Sequence, residues 1–170
     1  FLPIHALSLI LKKNNMKTIA LFALLLTAQL GFAQKAALTW YTDINEATAI
    51  AKKENKPMML FFTGSDWCGW CVRLQKEVFK TSEFEAWAKA NVVLVELDFP
   101  RSTPQSEALK TQNRNLQQQF AVRGYSTCWF VRPEKMNDGK TNLVQIGSKG
   151  YEAGGPANWT KTAGELIKSN

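Results

Sequence analysis

The run from Met58 to Thr63, M-M-L-F-F-T, constrains the fold of this chain more than any other stretch. It is apolar almost throughout, it is too short for a helix, and Pro57 and Gly64 bound it. A short apolar run between turn-forming residues is typical of a strand that is buried on both faces. Such a strand requires neighbouring strands and covering helices, so the run predicts a central sheet in an α/β protein.

Strands and helices alternate on both sides of this run. Three capping patterns mark helix starts: Asp43 with Glu46, Ser82 with Glu85, and Thr103 before Pro104. In order we expect an extended lead at 37–41, a helix to 54, a strand at 58–63, helices at 68–79 and to 90, a strand at 92–99, a helix to 119, a strand at 127–132, a turn at 137–139, a strand at 143–147 and a helix at 156–168. This order predicts a central mixed β-sheet, parallel at its centre and antiparallel at one edge, flanked by helices on both faces.

The N-terminal segment has the pattern of a targeting signal. Met16-Lys17-Thr18 is short and basic, residues 19–26 are apolar, and Gly31-Phe32-Ala33 has the small-x-small form of a cleavage site. Because the chain begins with Phe1 and a better start lies at Met16, we expect 1–33 to be an upstream segment plus a cleavable signal peptide. The mature domain would span 34–170 and be periplasmic or secreted.

An uncleaved membrane anchor is the alternative interpretation of this segment. The apolar run is interrupted by Thr27 and Gln29, which leaves it short of the ~20 residues that a spanning helix needs. We therefore expect no stable membrane anchor.

The formal net charge of +7 does not predict a nucleic-acid partner. Lys12, Lys13 and Lys17 all lie in the predicted signal segment, which has no acidic residue. In the rest of the chain basic and acidic residues alternate, without a basic block or a basic patch interleaved with aromatic residues. That distribution is typical of a solvated mixed surface.

Cys68 and Cys71 form a Cys-x-x-Cys pair, for which four uses are known. A structural zinc site needs four ligands, but the chain's other cysteine is Cys128 and its one histidine, His5, lies in the predicted signal segment. Haem attachment requires histidine directly after the second cysteine, where this chain has Val72. A structural disulfide would close too short a loop to constrain the unfolded chain much. We therefore expect no metal and no cofactor, and redox chemistry is the strongest remaining use.

The predicted elements place Cys68 at the start of a helix, where free N–H groups and the helix dipole stabilise a thiolate. Cys68 is thus the predicted nucleophile, and Cys71, one turn further on, is positioned to attack a mixed disulfide at Cys68. Trp67 and Trp70 would supply an apolar platform around the sulfurs, and Gly69 would keep the first turn open. The alternative is that either tryptophan is an ordinary packing residue.

The stretch Trp67-Cys68-Gly69-Trp70-Cys71 resembles the active site of the thioredoxin family. Supporting matches, in the family's order, are Lys56-Pro57, Phe61-Phe62-Thr63-Gly64, Glu77-Val78-Phe79, Leu97-Asp98 and Val122-Arg123-Gly124-Tyr125. The resemblance is to the secreted, thioredoxin-like branch and covers most of the predicted mature chain. It implies a thioredoxin fold and thiol–disulfide oxidoreductase activity through Cys68 and Cys71.

The chain departs from the family pattern at two positions. Family members usually carry a cis-proline that packs against the cysteine pair; here Ser126 takes its place, followed by Thr127. Thioredoxins keep a buried aspartate six residues before the first cysteine, and this position is Phe62. Glu96 is a possible substitute proton acceptor, the alternative being an edge-exposed or ion-paired glutamate.

Cys128 lies between Thr127 and Trp129 on a predicted strand. We expect it in the core, with a reactive third thiol as the alternative.

The sequence thus predicts a reductase or isomerase of protein disulfides, kept reduced by a membrane thiol-transfer donor. Two other hypotheses stay open. The chain could be a non-catalytic binding module of the same fold that holds a partner through Ser126 and the tryptophans. It could also be a thiol peroxidase that uses Cys68, although no Thr/Arg pair to activate that nucleophile is evident.

Overall fold

The computed structural model of the protein describes residues 38–169. The predicted signal segment at 1–33 lies outside these residues. The elements are β1 (Trp40–Tyr41), α1 (Ile44–Glu54), β2 (Met58–Thr63), α2 (Gly69–Leu74, continued by a π-helical turn at Gln75–Phe79), α3 (Ser82–Asn91), β3 (Val93–Asp98), α4 (Glu107–Gln119), β4 (Thr127–Lys135), β5 (Thr141–Lys149) and α5 (Gly155–Lys168). No helix within 38–169 is both long and apolar enough to span a membrane.

The strands form one mixed sheet with the order β1-β3-β2-β4-β5. β1, β3 and β2 run parallel, whereas β4 pairs antiparallel with β2 and with β5. The predicted fold class is confirmed, including the parallel centre and the antiparallel edge. All six residues of β2 are buried, as its apolar sequence requires of a strand with a neighbour on each side and cover on each face.

Alternation along β2 divides the core into two clusters. Met59 and Phe61 face one side and belong to a cluster, here called the cysteine-side cluster, that contains Cys68, Cys71 and Cys128 and is covered by α2, α3 and α5. Leu60 and Phe62 face the other side, where α1 and α4 cover the sheet; we call this the opposite cluster. Successive strand residues point to opposite faces, so one doubly buried strand supplies both cores.

Trp159 of α5 is the centre of the cysteine-side cluster. Its exposed fraction is 0%, and its ring meets those of Phe79, Phe84, Trp87 and Phe130 at centroid distances between 5.4 and 6.3 Å. Its indole N–H donates to the carbonyl of Gly150 at 3.0 Å, so the polar atom is satisfied despite burial. Trp159 therefore fixes α5 and the loop before it against the sheet.

Two helix starts differ from the sequence prediction. The cap of α3 is Thr81 and not Ser82, because the Thr81 hydroxyl accepts from the Phe84 amide. The shift at α4 is larger: it begins at Glu107, capped by Ser106, and not after Thr103. The Thr103 amide instead donates to the carboxylate of Asp66, which holds that segment as a loop.

Replacing Trp159 by alanine is expected to lower the free energy of unfolding by about 3–5 kcal/mol, because it leaves a large cavity among packed rings. Urea unfolding followed by far-UV circular dichroism measures this change. Met136→Ala, at an exposed apolar position, is the control and should cost about 0.5 kcal/mol or less. Equal losses in the two variants would contradict the central role of Trp159.

Candidate active site

Cys68 and Cys71 are joined by a disulfide at the start of α2. Cys68 is the N-cap residue, and its sulfur accepts the backbone N–H of Cys71 at 3.2 Å. The Cys68 amide in turn donates to the carbonyl of Gly64 at 2.8 Å, which closes the turn between β2 and the helix. The first cysteine therefore lies where free helix N–H groups point at its sulfur.

The two cysteines differ in their exposure to solvent. The exposed fraction is 6% for Cys68 and 0% for Cys71, so within the pair only Cys68 reaches the surface. A thiol that attacks a protein disulfide must be accessible, and the resolving thiol need only reach its partner. The geometry thus suits the predicted roles, which themselves stay a prediction.

Trp67 lies on the backbone of Gly64. A Cβ on Gly64 would overlap the indole ring, so a side chain there would displace it. The indole N–H donates to the Phe99 carbonyl at 2.8 Å, and the ring packs edge-on against Tyr125 with centroids 5.2 Å apart. The Arg101 guanidinium stacks on the ring, 4.2 Å from its centroid.

Asp66 ties the active-site turn to the loop between β3 and α4. Its carboxylate accepts the backbone N–H groups of Arg101 at 3.0 Å, Ser102 at 2.7 Å and Thr103 at 3.2 Å. These bonds, that of Arg101 foremost, hold the pKa of the Asp66 carboxyl below its ordinary value. The Asp66 carboxylate therefore stays ionised to a lower pH than an ordinary aspartate.

Two further hydrogen bonds hold the same turn at Ser65, one residue before Asp66. The carboxylate of Asp98, the last residue of β3, accepts the amide of Ser65 at 2.8 Å and its hydroxyl at 2.6 Å. The turn that carries the cysteines is thus attached to the neighbouring strand as well as to the loop beyond it.

Trp70, on the other side of the disulfide, is 57% exposed. Its ring meets Tyr151 at 5.5 Å, and the Arg73 guanidinium lies over both rings. Glu77 completes this group: it accepts the Tyr151 hydroxyl at 2.6 Å and Arg73 Nε at 2.8 Å. Those two bonds, the one from Tyr151 first, lower the pKa of Glu77, and the same bond raises the pKa of Tyr151. The loop before α5 is thereby attached to the active-site helix.

Gly69, the residue between Cys68 and Trp70, faces open space. A Cβ added to it would meet no atom within 4 Å. The first turn of α2 is therefore open at Gly69.

Ser126 directly precedes β4 and follows Tyr125, whose ring packs against Trp67. The peptide bond between Tyr125 and Ser126 is cis, and the Ser126 side chain is buried with a residue exposure of 7%. Thr127 donates its hydroxyl to the carbonyl of Gly124 at 2.8 Å, which shapes the turn before β4. Gly150 lies on the Ser126 carbonyl, so that a Cβ there would approach the oxygen to 3.2 Å.

Phe61, and not Phe62, lies on the face of β2 that carries the cysteine-side cluster. The family's spacing places its buried aspartate at Phe62, but Phe62 lies in the opposite cluster, whereas Phe61 lies in the cysteine-side cluster. Both residues are apolar, and β2 contributes no carboxylate to the pair.

Glu96 of β3 is partly buried and lines a cavity of about 200 Å³ with aromatic walls, together with Trp40, Phe61, Gln75, Phe79 and Lys80. Burial, and then the charge of Asp98, raise the pKa of its carboxyl above the ordinary value. Cys71 is not among the residues that line this cavity. The role of Glu96 as a proton acceptor for Cys71 stays a prediction.

Cys128 is a free, fully buried cysteine in the cysteine-side cluster, as the sequence predicted. Burial strongly raises the pKa of its thiol, which keeps it protonated and unreactive. Lys149 pairs with Cys128 in the β4–β5 ladder, and its side chain is largely buried as well. The Lys149 ammonium group bonds to Glu152, to the Trp159 carbonyl and to the Thr162 hydroxyl.

Sequence patterns did not identify the groups that hold the cysteine turn in place. Asp66 and Asp98 act through backbone N–H groups and a serine, and Tyr151 comes from a loop more than 70 residues from the helix it contacts. An aspartate between serine and tryptophan just before a helix was the available signal for Asp66. Within 38–169, no group of three or more His, Cys, Asp or Glu side chains could hold a metal ion.

Comparison with known proteins gives consistent matches. The model of the thioredoxin-like family matches residues 39–133. Disulfide bond reductase DsbH of Chlamydia pneumoniae is 36% identical over 133 residues, which cover 78% of this chain and 75% of that protein. Thioredoxin-related protein DsbJ of the same organism is 30% identical over 118 residues, 69% of this chain but 32% of the relative. A solved structure of a DsbH oxidoreductase superposes with a TM-score of 0.68 at 34% identity, covering 79% of this chain and 88% of the other.

Replacing Gly64 by alanine is expected to displace the Trp67 indole and to lower the free energy of unfolding by about 1–3 kcal/mol through overpacking. Urea unfolding provides the measurement. Gly69→Ala is the matched control, because its Cβ enters open space and alanine favours the helix, so this variant should be neutral or gain up to about 1 kcal/mol. Equal stability of the two variants would show that the Trp67 ring does not depend on Gly64.

Replacing Glu96 by glutamine is expected to stabilise the protein at neutral pH. A carboxyl whose pKa is raised by folding favours the folded state most below its ordinary pKa, and that advantage is lost as the pH rises through the folded value. The variant should therefore gain most over the parent at pH 7 and least near pH 4. Thermal melts across this range test the sign, and a gain confined to acid pH would refute it.

Proposed function

Because this chain belongs to the thioredoxin-like family and holds a Cys-Gly-Trp-Cys pair as a disulfide at a helix start, we propose that it exchanges disulfides with other proteins. It is a thiol–disulfide oxidoreductase that acts as a reductase or isomerase of protein disulfides. Its similarity to a disulfide bond reductase over three quarters of that protein's length favours this direction over that of a strong oxidant.

The observation that carries the proposal is the environment of the Cys68 sulfur. It accepts the Cys71 N–H, it caps a helix, and it belongs to the more exposed cysteine of the pair. Each of these features stabilises or presents a thiolate at Cys68 once the disulfide is opened. A thiolate, and not a thiol, is the nucleophile in disulfide exchange.

The reaction follows in two steps. The Cys68 thiolate attacks one sulfur of a substrate disulfide, forms a mixed disulfide with it, and displaces the other substrate sulfur as a thiolate that takes up a proton. Cys71 then loses its proton and attacks Cys68, which releases the second substrate sulfur and leaves the Cys68–Cys71 disulfide. The substrate gains two electrons, and a dithiol donor must return two electrons to the pair.

Exposed apolar groups beside Cys68 fit a protein substrate. Trp70 and Val72 are among the few large apolar side chains of 38–169 with more than half of their surface exposed. Exposed apolar surface next to a reactive group is a common feature of sites that bind other proteins. We therefore propose that substrate segments lie over Trp70 during exchange.

An extracytoplasmic location and a membrane thiol-transfer donor complete the proposal. The support is the signal-like pattern of residues 16–33, which lie outside the described part of the chain, and the need of a reductase for a continuous supply of electrons. On this proposal the mature protein is the domain at 34–170, and its donor is a membrane protein that passes on electrons as thiols.

An insulin-reduction assay with dithiothreitol tests the proposed function. The protein should accelerate precipitation of reduced insulin, and Cys68→Ser should abolish that acceleration because the nucleophile is lost. Cys71→Ser should instead accumulate a mixed disulfide, visible as a covalent adduct on a non-reducing gel. Cys128→Ala is the control and should retain turnover per folded molecule, since this thiol is buried and protonated.

The alternatives give different results in the same experiments. A non-catalytic binding module would leave insulin reduction at the background rate in the intact protein. Turnover that survives in Cys68→Ser would remove Cys68 from the mechanism. Consumption of hydrogen peroxide at a rate above that of insulin reduction would indicate a peroxidase.

A further inference from the structure

Two buried hydroxyl groups near the disulfide have no hydrogen-bond partner within the described part of the chain. They are Thr63 Oγ1, at the end of β2, and Ser126 Oγ, just before β4. The residue exposures are 0% and 7%. Leaving a buried hydroxyl without a partner costs about 1–3 kcal/mol, so two at one place require an explanation.

The strand register brings the two residues to neighbouring positions. β2 and β4 pair antiparallel, with Phe61 opposite Cys128 and Phe62 opposite Thr127. Thr63 is the residue after Phe62 and ends β2, and Ser126 is the residue before Thr127. Residues two apart on a strand share a face, and Phe61 and Cys128 both lie in the cysteine-side cluster. Thr63 therefore faces the side of the sheet that holds the cysteine pair, and Ser126 lies at the adjacent start of β4.

The chain neighbours of both residues contact Cys68 or the residue before it. Thr63 precedes Gly64, whose carbonyl accepts the Cys68 amide at 2.8 Å. Ser126 follows Tyr125, whose ring packs against Trp67, the residue before Cys68. Gly150 lies against the Ser126 carbonyl and covers this place from the loop before α5.

We propose that Thr63 and Ser126 are positioning residues whose hydroxyls donate hydrogen bonds to the Cys68 thiolate when the disulfide is reduced. A disulfide sulfur is a weak acceptor, which fits the absence of a partner for either hydroxyl in the oxidised pair within 38–169. A thiolate is a charged acceptor and forms much stronger hydrogen bonds. The inference rests on the proposed redox function, and it adds a device that favours the reduced form.

The step involved balances as follows. A dithiol donor transfers two electrons to the pair, its own sulfurs close into a disulfide, and the Cys68–Cys71 bond breaks. The products are a thiolate at Cys68, a thiol at Cys71 and one proton released to solvent. The two hydroxyls keep their protons throughout and only rotate towards the new negative charge.

The effect on the equilibrium has a definite sign. In the oxidised form the hydroxyls are buried without partners, which raises its free energy; in the reduced form they stabilise the charge, which lowers its free energy. Both contributions favour the reduced pair and raise its reduction potential. Removing a hydroxyl must then make the potential more negative.

The test measures the equilibrium of the Cys68–Cys71 couple with dithiothreitol for the intact protein, Ser126→Ala, Thr63→Val and the double variant. Each single variant should shift the equilibrium constant about tenfold towards the oxidised protein, which is about 30 mV for a two-electron couple. The double variant should shift it further. Each variant should also lose more thermal stability in the reduced form than in the oxidised form.

Thr160→Val is the matched control. Thr160 is comparably buried, but its hydroxyl donates to the Pro156 carbonyl on α5, so its loss should lower the stability of both redox forms alike and leave the equilibrium unchanged. An unchanged equilibrium in both Ser126→Ala and Thr63→Val would overturn the inference. That result is expected if an ordered water satisfies the hydroxyls in both redox forms. A couple that cannot be reduced even in the intact protein would instead overturn the proposed function.

Discussion

The complete burial of β2 is the constraint on which the rest of the structure depends. Its side chains alternate between two clusters, so neither face can be exposed without loss of core, and the strand cannot slip by one residue in register. The end of such a strand is a fixed point in the molecule. Thr63, Gly64 and the turn to Cys68 start from this point, and the position of the cysteine pair is therefore set by hydrophobic packing and not by the cysteines themselves.

Polar groups hold the turn that follows β2 in place. Asp66 and Asp98 bind this turn to the neighbouring loop and strand, and the Trp67 indole packs on Gly64. On the other side, Glu77 and Tyr151 hold the loop before α5 against the active-site helix. The disulfide thus lies between two supports that come from distant parts of the chain, while Cys68 and the exposed side chains of Trp70 and Val72 stay accessible to a partner.

Local patterns were sufficient to predict the elements, and long-range contacts account for what could not be predicted. The apolar run of β2, the cap at Asp43 and the place of Cys68 at a helix start all follow from neighbouring residues. The late start of α4 does not, because Asp66, more than 30 residues away in sequence, takes up the amides that a helix at Thr103 would need. The π-helical turn at Gln75–Phe79 left no pattern in the sequence that distinguishes it from an α-helix.

The burial of Cys128 also has a consequence for how the protein acquires its disulfide. With three cysteines in the chain, one disulfide can form in three ways, and two of them would join Cys128 to a cysteine of the pair. Once β4 has docked beside β2, the Cys128 thiol is shielded and protonated, and neither incorrect disulfide can form. If the sheet assembles before the cysteines are oxidised, Cys68–Cys71 is the one pairing of the three that can still form.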